Sequence, residues 1–119
     1  MSSLSSRQFP MGFPEQVGVT GTTNAGPLLA AVPTSPTSIV SKDTYLFQIS
    51  LTNGTASAIS FTLSDKQSSP KSAMDATSIP ANTTVSFNWA DGIFMKGGMT
   101  WSAGGAGLTG SVVAFNRTV

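Results

Sequence analysis

Few side chains in this 119-residue chain could move a proton or hold a metal. There is no histidine and no cysteine, which leaves the acids Glu15, Asp43, Asp65, Asp75 and Asp91 and the lysines. Hydrolytic acid–base chemistry needs two carboxylates held near each other or a histidine poised near neutral pH. Here the acids fall singly along the chain. No D-x-D or D-x-N-x-D calcium pattern occurs among them, and no zinc ligand set can be assembled without Cys or His. Asp65 and Asp75 are the one pair that could share a loop around a cation; a solvated turn carboxylate is the simpler reading of each. A serine nucleophile would need a lysine of depressed pKa as its base. Neither a G-x-S-x-G elbow nor a phosphate-cradling G-x-x-x-x-G-K-[ST] loop is present. The residue inventory therefore predicts no enzymatic activity, no cofactor and no metal.

The other chemically suggestive stretch is residues 87–104, FNWADGIFMKGGMTWSAG, where two tryptophans, two phenylalanines and two methionines surround a DG, a GG and one lysine. Tyr45, Trp89 and Trp101 are the candidates for a flat aromatic platform on which sugar rings could stack, with Trp101 as its central residue. Against that, Tyr45 and Trp89 fall in phase with the apolar faces of their segments, where core residues sit.

Those segments are strands. In TYLFQISLTN the residues Tyr45, Phe47, Ile49 and Leu51 alternate with smaller or polar ones, and Ile59, Phe61 and Leu63 do the same in AISFTLSD. Asn53-Gly54 between them is the dipeptide of a type I′ turn and predicts a hairpin. A polar loop, DKQSSPKSAMDAT, follows. TTVSFNW then alternates with Val85, Phe87 and Trp89 on one face, Asp91-Gly92 and Gly97-Gly98 read as turns, and strands around Met99–Trp101 and over Gly110–Asn116 close the chain. With these residues, Tyr45, Trp101 and Phe115 among them, predicted to point inward, the pattern is all-β: a small antiparallel β-sandwich or jelly-roll-like domain over residues 41–119.

The first 40 residues differ. Five of the seven prolines lie there, among SS, GTT and PTSPTS tracts, and proline excludes both a long helix and a central strand. Residues 1–40 read as an extended arm with short edge strands at QVGVT and PLLAAV. Phe9, Phe13, Leu28 and Leu29 are its candidate apolar anchors.

Charged residues make up only 9% of the chain and the net charge is +1, with basic residues scattered singly. Nucleic-acid and anionic-membrane binding need clustered cations and are not expected. A chain with so little self-repulsion suits an assembly. No signal-peptide pattern and no run of about 20 apolar residues is seen, so synthesis in a cytoplasm is expected. The three N-x-[ST] sequons, at Asn53, Asn82 and Asn116, then have no glycosylation machinery to meet.

The segment IPANTTVSFNW followed by GIFMKGGMTWSAGGAGLTGSVVAF resembles the C-terminal part of a group of small β-rich structural proteins of tailed bacteriophages. A "PAN-T" strand start, an apolar strand, a GG-x-x-W-S-A strand and a final G-x-V strand recur in that group. The likeness covers roughly Ile79 to Phe115, and MSSLSSRQFPMGFPEQVGVT has the look of a virion-protein arm. The resemblance implies a virion structural protein made in the host cytoplasm: a head decoration or cement subunit. A neck or tail component, or a glycan-binding module on the virion surface using Trp101, is the alternative. The implied partners are copies of itself, as a homo-oligomer, and other virion proteins such as the major capsid protein.

Overall fold

The computed structural model describes residues 24–117, which form eight strands and no helix. They are β1 (Ala30–Ala31), β2 (Thr37–Val40), β3 (Thr44–Asn53), β4 (Ile59–Asp65), β5 (Ser72–Ile79), β6 (Thr83–Met95), β7 (Met99–Ala103) and β8 (Leu108–Asn116). Two four-stranded antiparallel sheets result, ordered β1-β8-β3-β6 and β2-β7-β4-β5. Strand 1 thus pairs with 8, 2 with 7, 3 with 6 and 4 with 5. This is a long ribbon rolled on itself, the jelly-roll topology.

A rolled ribbon imposes a particular demand on its connections. Every link except β4–β5 must carry the chain from one sheet to the other, and facing sheets lie about 10 Å apart. The Asn53-Gly54 hairpin predicted from sequence is therefore absent: β3 and β4 belong to opposite sheets. A type I′ turn requires positive φ at both central residues, and neither Asn53 nor Gly54 has it. Asn53 instead turns its side chain inward, fully buried. Its Nδ2 donates to the carbonyls of Ser57 (2.8 Å) and Ile79 (3.0 Å), while Oδ1 accepts from the Thr55 amide (2.9 Å) and Thr55 hydroxyl (2.7 Å). One side chain satisfies the corner and ties it to the end of β5.

At the opposite end, Gly97 and Gly98 form the β6–β7 corner with φ of +80° and +119°. A Cβ on Gly98 would lie 1.9 Å from the Val40 carbonyl oxygen, so no other residue fits. Asp91-Gly92 makes no chain reversal. It lies in a wide bulge inside β6, where residues 89–92 are accommodated opposite the single residue Phe47 of β3. The Phe47 ring rests on Gly92, at which a Cβ would come within 2.9 Å of it.

That same Phe47 is an extra residue relative to β8, and it inverts the facing of β3. Thr44 and Leu46 are buried before the bulge and Ile49, Leu51 and Asn53 after it. Tyr45 and Phe47, expected inward, lie outside with Phe115, which pairs with Tyr45 across β8. The expectation holds for Ile59, Phe61 and Leu63 on β4, all buried, and for Val85, Phe87 and Trp89, which are half-buried against the core. The polar stretch after β4, whose composition predicts a loop, contains a strand: β5 is an outer strand whose Met74 and Ile79 alone are buried. At the other side, β1 and β2 lie within the proline-rich first 40 residues and supply one outer strand to each sheet. Val32 and Val40 enter the core with them.

Asn53→Ala removes four hydrogen bonds and leaves the buried Ile79 carbonyl without its Asn53 donor. At about 1–3 kcal/mol for each stranded buried group, a loss of about 3 kcal/mol or more is expected in the denaturant midpoint at unchanged m-value. A loss below about 1 kcal/mol would show that the corner does not depend on this amide.

Candidate functional site

The acids are placed first, since they carry what acid–base capacity the chain has. Asp65, at the end of β4, is 6% exposed. It accepts from the backbone amide of Lys71 (3.0 Å) and from the side chain (2.5 Å) and amide (3.4 Å) of Gln67. Burial acts to raise its pKa. The amide hydrogen bonds from Lys71 and Gln67, the Gln67 side chain and the Lys71 charge outweigh it, and the carboxyl is held below its ordinary value. Asp43 accepts from the Gly97 amide at 2.7 Å and lies 3.9 Å from the Arg117 guanidinium, and its own carbonyl accepts from the Arg117 amide at 2.9 Å. Both carboxylates therefore fasten corners of the roll. Asp75 and Asp91 are exposed on β5 and in the β6 bulge. Among the described residues, no group of three His, Cys, Asp or Glu side chains is placed to hold a metal ion.

Trp101 is not a surface platform. It is 2% exposed and meets Phe61 edge-on at 6.2 Å with an interplanar angle of 80°. The absence of a Cβ at Gly110, which would stand 3.1 Å from the indole, lets the ring of one sheet pack against the backbone of the other. A sugar ring has no indole face to stack on. The surface aromatics are the ones whose facing the bulge reversed. Tyr45 and Phe94 lie 5.5 Å apart, Phe47 and Phe115 meet edge-on at 5.8 Å, and the Arg117 guanidinium sits 5.0 Å above Phe94. They form a ring-lined band on the outer face of the first sheet. The one sequence signal for it was Leu46, an apolar residue out of phase between Tyr45 and Phe47.

Of the arm's candidate anchors, Phe9 and Phe13 lie outside the described residues. Leu28 and Leu29 are the two most exposed large hydrophobic residues described, at 81% and 74%. The way they are held matters more than their exposure. Asn24 donates to the Val112 carbonyl (2.7 Å) and accepts from the Ala114 amide (2.7 Å) and the Gly26 amide (3.1 Å). Ala25 donates to Ala114, the Pro27 carbonyl accepts from Val112, Ala30 and Ala31 pair with Gly110 and Thr109, and Val32 donates to Leu108. Residues 24–32 are thus laced along the edge of β8 on both sides of a two-residue bulge, and that bulge is Leu28-Leu29. The packing is tight, since a Cβ on Gly26 would stand 2.8 Å from Val112.

Directly beside this knob runs a groove of about 420 Å3 between the two outer strands β1 and β2. It is lined by Pro27, Ala30 and Ala31 around β1, by Pro33, Thr37 and Ile39 around β2, and by Trp101; no lining residue is charged. An exposed apolar pair on a hydrogen-bonded backbone thus adjoins an uncharged, largely apolar groove. Contiguous apolar surface of this kind marks sites of contact with other macromolecules. No protein-family model, no curated protein and no solved structure matches the chain.

The state of Asp65 has a pH consequence. Its folded pKa lies below the unfolded one, so its contribution to stability is complete above the unfolded value and disappears as pH falls through the carboxylate range to the folded value. Urea midpoints measured at pH 7 and pH 3 should fall less with acid for Asp65→Asn than for the parent chain. Parallel losses in the two proteins would contradict this assignment.

Proposed function

We propose that this chain is a non-enzymatic structural subunit of a virion, a decoration or cement protein that seats on the assembled particle through the apolar edge formed by residues 24–39. The observation that carries this reading is the pinned Leu28-Leu29 pair: two large apolar side chains held out to solvent by a frame of backbone hydrogen bonds. A backbone already fixed on both sides of the pair loses little further freedom on docking, which favours association. The jelly roll is an architecture found in viral capsid and lectin domains; that support is analogy of fold, and the contact residues give the reading its content. The weak charge of the chain, +1 overall, fits a subunit packed among many copies without mutual repulsion.

Magnitudes point the same way. Burying Leu28 and Leu29 is worth about 1.5–3 kcal/mol each, whereas association costs about 4–15 kcal/mol in lost freedom of motion. The pair alone does not hold a lone subunit. On a particle whose lattice repeats the seat, contacts between neighbouring subunits add to it, and occupancy rises through multivalency. The partners of this reading are the major capsid protein and further copies of the chain; a seat at a neck or tail ring would use the same edge.

The test is co-sedimentation of purified protein with particles that lack it. The double substitution Leu28→Ser/Leu29→Ser should lower occupancy by about tenfold or more, given the burial removed, at unchanged melting temperature because both side chains are exposed. Undiminished occupancy of the variant, or no binding by the parent chain, would sink the reading.

A further inference from the structure

The virion reading leaves open what lies in the groove between β1 and β2. The occupant can be argued from the two outer strands themselves. β1 pairs only with β8 and β2 only with β7, so each is an outer strand among the described strands. Exposed edges invite strand addition, and proteins blunt them with short strands and prolines. Here β1 is two residues long and β2 four, with Pro27, Pro33 and Pro36 around them. A ladder of main-chain hydrogen bonds has little room to form, and whatever docks at this side must do so through side chains.

The surface offers both halves of such a contact. The knob, Leu28-Leu29, and the groove adjoin on one side of the sandwich and share Pro27 and Ala30 as their boundary. Neither contains an ionisable group. A charged or strongly polar partner would find nothing in the groove to answer it, whereas a second copy brings a neutral apolar knob and a neutral apolar groove in matching order. A two-fold axis places each knob over the other copy's groove in one step, since an isologous contact needs a single self-complementary patch.

We infer that the open side of the sandwich is a two-fold self-association surface in which Leu28 and Leu29 of one copy fill the groove between β1 and β2 of the other, against the edge of Trp101. This deepens the virion reading and rests on its assignment of the 24–39 edge as an assembly surface. The subunit then joins the particle as a dimer, so that Leu28 and Leu29 act on occupancy by holding the pair together while the remainder of the 24–39 edge meets the shell.

Sedimentation velocity over a concentration series reads the self-association. The parent chain should pass from monomer to dimer, and Leu28→Ser/Leu29→Ser should weaken dimerisation by about tenfold or more for the burial lost. Ala31→Glu, which sets a charge on the exposed groove wall, should do the same. Because the chain contains no cysteine, geometry can be read separately: mixing Leu29→Cys with Thr37→Cys under mild oxidation should give the mixed disulfide-linked dimer in preference to either homodimer. A parent chain that stays monomeric, dimerisation unaffected by the substitutions, or linkage chiefly of Leu29→Cys to itself would overturn the inference. So would dimerisation that appears only after residues 1–23 are removed, since the chain's own N-terminal segment would then be the groove's occupant. A chain that fails to dimerise yet still co-sediments with particles through Leu28 and Leu29 would refute the two-fold contact and leave the virion reading standing.

Discussion

A ribbon that rolls into two sheets must bend between them at nearly every connection, and each bend places backbone amides and carbonyls where no ladder can satisfy them. The structure depends on how those groups are met. At one end the buried amide of Asn53 meets four partners from the β3–β4 corner and the tip of β5, while the Asn82 amide donates to Thr55 and the Gly104 amide to Ser60. At the other, Asp43 binds the Gly97 amide, Asp65 binds the β4–β5 loop, and the Lys66 ammonium reaches the Ser38 and Ser41 hydroxyls. A buried polar group is tolerable only when its bonding is complete, and Asp43, Asp65 and the inward amide of Asn53 are committed to that task. The same commitment explains why acids that looked like isolated chemistry in the sequence form no reactive pair among the described residues.

Local pattern alone made most of the sheets legible. Period-two alternation located β4, the first half of β6, β7 and β8, and with them the all-β class. Two connections, Asn53-Gly54 and Asp91-Gly92, depart from their local signals for one shared reason. Asn-Gly and Asp-Gly are strong local turn signals, but a turn type is chosen by the strands that flank it, and here those strands pair with partners far along the chain. Asn53 lies opposite Thr83 and Leu108, not Ile59. Its preference for hydrogen-bonding its own neighbours was used to fold a corner. The strand β5 is not legible in the sequence because an outer strand with two buried residues carries almost no apolar rhythm.

The facing of the aromatics followed a similar course. TYLFQISL contains two overlapping rhythms, Tyr45-Phe47-Ile49-Leu51 and Leu46-Ile49-Leu51, and only the second is realised. One extra residue, Phe47, accommodated by the missing Cβ of Gly92, exchanges the two faces of β3 from that point on. It brings Leu46 into the core and leaves Tyr45, Phe47, Phe94 and Phe115 outside. The choice turns on a contact between residues 45 positions apart, which no window of local sequence contains. Trp101 went the other way, into the core, because Gly110 on the opposite sheet makes room for its edge.

The surface that remains for recognition follows from these allocations. With charge scarce, the chain has little means of steering a partner electrostatically, and specificity must come from shape. Shape is specific only when it is rigid. PLLAAV announces an apolar pair, yet nothing near it in sequence says that it will be held still. That is done by Asn24, Ala25, Pro27 and Val32 against Val112, Ala114 and Leu108, residues 76 to 90 positions away. Closing the roll, which brings the last strand beside the first, is therefore the same event that fixes the backbone on which two leucines of a proline-rich arm are presented. On the proposed reading, folding and the capacity for assembly are coupled at β8, and a subunit not yet closed would lack that framed pair.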